Sequence, residues 1–249
     1  MRRAANDYNM IQEGDRIAVG LSGGKDSIAL LTALKLYQRF TPTPFELCAI
    51  MIDMGLKDTD MGEMDALMKY CESLQAPLHI ERTNIAEIIF DIRKESNPCS
   101  LCSKMRRGAL NTVCNRLGYN KLALAHNSED VLETFLLSFL YEGRLSTFQP
   151  VSHMSRTDIT LIRPLLYAEE GDIKGAARRL HFPIVHNPCP KNHFTQREYM
   201  KNLVNMIKKD IPFAKDRMFE AIVNADRYNL FPQKHQHKKQ EFYDDQRKS

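Results

Sequence analysis

Tryptophan is absent from the sequence, and so is any run of about 18 apolar residues that could cross a bilayer as a helix. No apolar segment follows Met1-Arg2-Arg3, so no secretory leader is expected and the chain reads as cytoplasmic, with no membrane partner. Eleven glycines and eleven prolines in 249 residues are too few for a low-complexity or collagen-like chain. Cysteines number six, and in a reducing compartment paired cysteines point to metal or redox chemistry rather than to disulfides. A large excess of one charge is also missing, since 35 Lys/Arg face 31 Asp/Glu.

What is present is a globular composition, 43% hydrophobic and 27% charged, with charge unevenly placed. Residues 1–170 hold 19 Lys/Arg against 22 Asp/Glu, whereas residues 171–249 hold 16 against 9. A basic final third beside a slightly acidic core suits a polyanion-binding appendage. The run Lys234–Lys239 lies in a polar, Gln-rich end without apolar periodicity, and is read as part of a solvated tail, 231–249, without fixed structure.

The apolar runs Arg16–Leu21, Phe45–Asp53, Pro77–Glu81 and Lys121–Ala125 read as strands, and Leu161–Leu165 and Pro183–Val185 as further candidates. Helical spacing is found in Ser27–Arg39, Met61–Leu74, Ser103–Leu117, Glu129–Tyr141 and Glu170–Leu180. Alternation of this kind predicts an α/β fold, a doubly wound parallel sheet with helices on both faces. Ligands of such sheets bind beyond the carboxyl ends of the strands, which puts Ser22–Ser27, Asp53 and Ala125–Asp130 around one cleft. After Cys189 only helices are expected, Gln196–Lys208 and Phe213–Asn224. The organisation is therefore a core, 1–193, a small helical appendage, 194–230, and the tail.

Ser22-Gly23-Gly24-Lys25-Asp26-Ser27 stands between a strand and a helix, the layout of a phosphate-binding loop. Glycines let backbone N–H groups approach oxygens, and the helix N-terminus adds its dipole. Lys25 supplies a positive charge, and Ser22 and Ser27 supply hydroxyls. Asp26 belongs beside phosphates only if a metal ion lies between them, which implies Mg²⁺. The pattern is neither GxxxxGK[ST] nor GxGxxG.

Cys99 and Cys102 form a CxxC next to the basic stretch Ser103–Leu117, and two thiolates at that spacing reach one metal. Lys104, Arg106 and Arg107 lower thiol pKa values or grip a nucleic-acid backbone. Cys189 lies between Pro188 and Pro190, far along the chain. Three accessible loop cysteines without a fourth suggest a site with an open coordination position. A zinc site completed by His186 or His193, a redox CxxC, or three unconnected cysteines are the other readings. Cys48, Cys71 and Cys114 fall at core positions and read as small buried hydrophobes.

Ser22–Ser27 resembles the PP-loop of the ATP pyrophosphatase (adenine nucleotide α-hydrolase-like) superfamily, whose members split ATP to AMP and pyrophosphate and adenylate a carbonyl oxygen. Asp53 matches the residue near the adenine or ribose in that superfamily. With Asn9-Met10-Ile11, Gly14-Asp15, Cys99-Ser100-Leu101-Cys102, Arg106-Arg107-Gly108, Arg163-Pro164-Leu165, Phe182-Pro183-Ile184 and Cys189 in order, residues 6–225 are similar to the TtcA-like tRNA 2-thiocytidine synthetases. The resemblance implies ATP and Mg²⁺ as cofactors, a 4Fe-4S cluster on Cys99, Cys102 and Cys189, and a homodimer. His126-Asn127-Ser128-Glu129-Asp130 departs from the family's His-His-x-Asp-Asp: His126 and Asp130 are kept, where they would orient the nucleotide or the metal.

The implied reaction is ATP-dependent adenylation of a tRNA pyrimidine carbonyl, with Lys25 and Asp26 at the phosphates, followed by sulfur insertion. The sulfur donor would be a cysteine desulfurase or sulfide. Arg106, Arg107 and the region from Arg178–Arg179 to Lys208–Lys209 would hold RNA phosphates. Three alternatives stay open: a lysidine synthetase-like or amide-forming PP-loop ligase with structural zinc, an iron–sulfur tRNA desulfurase, and a nucleotide- or redox-sensing protein without chemistry.

Overall fold

The computed structural model describes residues 1–56, 60–94, 98–189 and 196–224. The tail 231–249 and His193 lie outside the described residues. In chain order the elements are α1 (Arg2–Asp7), β1 (Arg16–Gly20), α2 (Lys25–Tyr37), β2 (Glu46–Asp53), α3 (Met61–Ser73) and β3 (Leu78–Arg82). A short π-helix, Glu87–Ile92, precedes α4 (Pro98–Arg116), β4 (Lys121–Ala123), α5 (Ser128–Glu142), β5 (Val151–Met154) and β6 (Ile159–Ile162). The chain continues through α6 (Glu170–Arg179), α7 (Gln196–Asp210) and α8 (Ala214–Val223). No described helix is long and apolar enough to cross a membrane.

The strands form one sheet in the order β3-β2-β1-β4-β6-β5. Every neighbouring pair is parallel except β5 with β6. Side chains alternate across the sheet, so both faces can be covered. Ile17, Val19 and Ala49 enter the apolar cluster shared with α2 and α3. Ala18, Cys48, Ile50 and Leu122 enter the opposite cluster, shared with α4 and the π-helix. The doubly wound α/β architecture expected from the alternation is thus the fold. Because β2 and β4 lie on opposite sides of β1, the strand order reverses there, and a cleft opens beyond the ends of β1 and β4.

Several elements differ from the expectation. Pro183–Val185 joins no strand ladder. Its one bond toward the core, Val185 N–H to the Gly23 carbonyl at 3.0 Å, goes to a loop. The sixth strand ends at Ile162 because Arg163-Pro164 follows, and proline lacks the ladder donor. Antiparallel β5, α1 and the π-helix are too short to show a period. The CxxC is not a loop before a helix: Pro98 occupies the first turn of α4, where its missing N–H costs nothing, and both cysteines ride on that helix.

A buried ion pair anchors the N-terminal segment and accounts for Gly14-Asp15. Lys121 Nζ lies 2.6 Å from Asp15 and donates to the Met10 carbonyl at 2.9 Å, while Asn120 and the Gln12 N–H also donate to Asp15. Asp15 is 4% exposed and Lys121 8%. Lys121→Met would leave that carboxylate buried without its counter-ion. It will therefore lower stability by about 3 kcal/mol, read as a drop in the urea midpoint at unchanged slope.

Cys48, Cys71 and Cys114 are buried, and burial pushes their thiols up to about 11, 11 and 12. They are inert core residues, as their positions in the sequence suggest.

Candidate active site

The loop after β1 is held in shape by its own hydroxyls. Ser27 Oγ accepts from the Ser22 N–H and donates to the Gly24 carbonyl at 2.9 Å, and it lies 3.1 Å from the Ser22 hydroxyl. Gly23 takes φ +80°, and a Cβ there would meet Val185 Cβ at 2.8 Å. Gly23 thus lets the chain segment that carries Cys189 lie directly against the phosphate loop. Gly24 caps α2 with an extended backbone and no side chain, leaving the first-turn N–H groups without a side-chain cap.

Asp26 and Lys25 begin α2. Lys25 Nζ is 2.8 Å from Asp26 and 3.1 Å from Glu170. Burial pulls the ammonium down, but the two carboxylates outweigh it and hold Lys25 above its ordinary pKa. Glu170, in the first turn of α6, also meets Lys174 at 3.1 Å and Lys201 of α7 at 3.2 Å. Burial acts upward on its carboxyl, yet the three ammonium groups bring it to about 2.

The loop after β4 reaches the same point. Asn127 caps α5, its side chain accepting from the Asp130 N–H at 3.1 Å while Asp130 accepts from the Asn127 N–H at 3.0 Å. Asn127 Nδ2 then donates to Asp26 at 3.1 Å. The departure from the family pattern here has a geometric reason: asparagine is a strong N-cap, and its amide ties this loop to the phosphate loop. Glu129 accepts from the Glu170 N–H at 2.9 Å and from Ser128, and pairs with Lys215 of α8 at 2.7 Å. Asp130 pairs with Arg197 of α7 at 2.8 Å. With Leu136, Met200 and Val204 packed together, these ion pairs dock α7 and α8 on α5 at the cleft.

One cavity of about 430 Å³ unites these parts. Its walls include Lys25, Asp26, Cys99, Cys102, Cys189 and Asp130. Burial pushes the Cys102 thiol up; Arg106 opposes this and the neighbouring Cys189 and Cys99 reinforce it. Cys102 Sγ also lies 3.6 Å from Met54 Sδ. Among the described residues no three His, Cys, Asp or Glu side chains converge as a single ion needs.

Six sequence candidates lie off this cavity wall: Ser22, Gly23, Gly24 and Ser27, which flank Lys25 and Asp26 in the loop, together with Asp53 and His126. Asp53 ends β2 and accepts from the Gly55 N–H at 2.9 Å. His126 accepts from Arg163 Nε through Nδ1 at 3.2 Å and packs on Phe148, with ring centroids 4.6 Å apart. Burial first, and then Arg163, lowers its pKa to about 3, so the ring is neutral with its proton on Nε2. Conversely, Glu133, Glu170, Arg197 and Lys201 line the cavity without having belonged to any motif. Glu133 was open to detection, because it follows Asp130 by three residues on a helix and so shares its face.

Comparison with known proteins places this geometry. The family model described as the PP-loop domain matches residues 1–208. The tRNA-cytidine(32) 2-sulfurtransferase of Pelobacter propionicus is 38% identical over 93% of this chain and 86% of its own length. That of Geobacter sulfurreducens is 38% identical over 90% of this chain and 87% of its own. The U34-tRNA thiolase NcsA from Methanococcus maripaludis, solved with its [4Fe-4S] cluster, shares the fold at TM-score 0.74 and 24% identity, covering 93% of this chain and 79% of that one. The phosphate loop, the cleft at the sheet's reversal and the relatives agree: the chain is an enzyme of the PP-loop domain family and belongs with the tRNA-cytidine(32) 2-sulfurtransferases.

Proposed function

We propose that the chain is an ATP-dependent tRNA sulfurtransferase that adenylates the C2 carbonyl of a cytidine and replaces its oxygen with sulfur. One observation carries this reading: Lys25 and Asp26 of the phosphate loop and the three cysteines line a single cavity, so activation and sulfur delivery can occur at one place. A structural zinc site in a ligase would have no need to open into the ATP cleft.

The donor set fits a 4Fe-4S cluster on Cys99, Cys102 and Cys189. Three thiols supply soft donors, and burial, reinforced by Cys189 and Cys99, disfavours the bare Cys102 thiolate, a cost that a bound cationic group relieves. When bound, such a cluster would supply sulfur at the sulfide level. The thiolase that shares this fold carries one.

The chain's own residues do the rest. Backbone N–H groups of the loop and Lys25 hold the β and γ phosphates and stabilise charge as pyrophosphate leaves. Asp26 is positioned by Asn127 to ligate Mg²⁺ once Lys25 turns to the phosphates. Asp130 lines the cleft, while Asp53 at the end of β2 and His126 in the loop after β4 stand behind its wall, where they would orient the nucleotide through the loops that carry them. Ser22 and Ser27 fix the loop's shape. Arg106, Arg197 and Lys201 line the mouth, and with Arg107, Arg178, Arg179, Lys208 and Lys209 they would hold RNA phosphates, making binding steeply salt-dependent. A cytidine in a tRNA loop is free to enter the cavity. Free thiols suit a cytoplasmic setting, and a homodimer with sulfide or a desulfurase as donor follows the family.

The test is mass spectrometry of tRNA nucleosides from cells with and without the gene. Loss of 2-thiocytidine on deletion is the expected result. Unchanged thiolation would refute the assignment, and a rise in thiolated nucleoside would indicate a desulfurase.

A further inference from the structure

Glu133 stands on α5 one turn beyond Asp130 and opens into the cavity shared by Lys25 and the three cysteines. Only 7% of it is exposed. Among the described residues its one ion-pair partner, Arg197 of α7, is 3.7 Å away, beyond hydrogen-bond reach, and is engaged by Asp130 at 2.8 Å. Among the described residues nothing else bonds its carboxylate. The groups around it are Asp130 on its own helix, Glu170 on α6, Arg197 and Lys201 on α7, Lys25 and Asp26 on α2, and Cys99, Cys102 and Arg106 on α4.

Sulfur insertion leaves one proton to be placed. Adenylation forms a bond from the carbonyl oxygen to the α-phosphorus and breaks the bond to pyrophosphate. A hydrosulfide-level donor then adds through sulfur to the same carbon. The C–O bond breaks, AMP leaves with the oxygen, and the S–H proton must depart to give the neutral C=S product. No electrons change hands.

We propose that Glu133 is the base that accepts this proton, a role that rests on the sulfurtransferase reading above. Other groups at the site are unsuited. Glu170 carries three lysines and is held near 2, and the His126 acceptor nitrogen is occupied by Arg163. Asp26 accepts from Asn127 and, in the reading above, is taken by Mg²⁺. Burial, followed by the repulsion of Asp130, raises the Glu133 carboxyl to about 7, where a base both is ionised and binds a proton usefully.

The test uses full-length chain with its cluster reconstituted anaerobically, Mg-ATP, total tRNA and sodium sulfide, in single turnovers. Glu133→Gln keeps the volume and removes the base. Thiolation should slow by roughly 100-fold while the pyrophosphate burst persists. The ratio of wild-type to variant rates should climb with pH and level off above about 7, a readout in which titration of sulfide itself cancels. In the cluster-free chain, infrared titration should show a carboxyl that ionises near neutrality and is missing from the variant. Wild-type thiolation rates in Glu133→Gln, a parallel fall in the burst, or the absence of that carboxyl would each overturn the role. If the wild-type chain releases no pyrophosphate with tRNA, the sulfurtransferase reading itself has failed; a normal wild-type burst beside an unimpaired variant removes only Glu133.

Discussion

Lys25→Ala will cut tRNA-dependent pyrophosphate release by roughly 10²–10³-fold, the usual loss when one preorganised donor is removed from developing charge. Lys25 is the only lysine of the phosphate loop, and it reaches both Asp26 and Glu170 from the first turn of α2. Its ammonium is neutralised by these two carboxylates. ATP must therefore draw it away from Glu170, which keeps Lys174 and Lys201 at 3.1 and 3.2 Å. Glu170 thus has replacement partners when Lys25 turns to the phosphates, and the same partners protect the fold of the variant. Asp26 likewise retains its bond from Asn127. The loss should appear in the chemical step with unchanged iron content and unchanged thermal unfolding. A variant that releases pyrophosphate at the normal rate would remove Lys25 from the reaction.

The fold was legible in the sequence wherever apolar runs were long enough to show a period. β1, β2 and β4, with α2, α3 and α5, stand where the runs predicted them, and the cleft follows from their order. Short pieces were not legible: four-residue β5 and six-residue α1 carry too few residues to separate one period from another. Pro183–Val185 has the composition of a strand, but its backbone is taken by the Gly23 carbonyl, a tertiary contact with no local signal. At the site, motifs exposed the glycine loop and the cysteines, because those chemistries need fixed residue types at fixed spacing. Glu133, Glu170, Arg197 and Lys201 are common surface residue types, and only the docking of α7 and α8 turns them inward. Asn127 and Glu129 were visible as departures from a family pattern, but their meaning was not. Asn127 trades an imidazole for a cap and a bond to Asp26, and Glu129 uses its longer side chain to reach Lys215 and the start of α6.

Cys189→Ala will abolish thiolation while leaving ATP binding intact, because the residue contributes to one half of the cavity only. Its segment is fixed from three directions: Val185 N–H bonds the Gly23 carbonyl, His186 N–H bonds Glu63, and Cys189 N–H bonds the Asn187 side chain at 3.1 Å. None of these contacts uses the thiol, so the alanine variant keeps the segment and the phosphate loop beneath it in place. What disappears is, among the described residues, the one thiol that reaches the cavity from outside α4. Cys99 and Cys102 then remain on the first turns of one helix, two thiols where the proposed cluster takes three. Loss of an outer-shell partner alone costs metal affinity 10–100-fold, so loss of the ligand should reduce bound iron and thiolation by more than roughly 100-fold. Anaerobic iron analysis, equilibrium ATP binding and single-turnover thiolation on the same preparation separate the effects. Retained iron and thiolation would remove Cys189 from the cluster. Lost ATP binding would show that the segment's contact with Gly23 depends on the thiol after all, and that the two halves of the cavity form one structural unit.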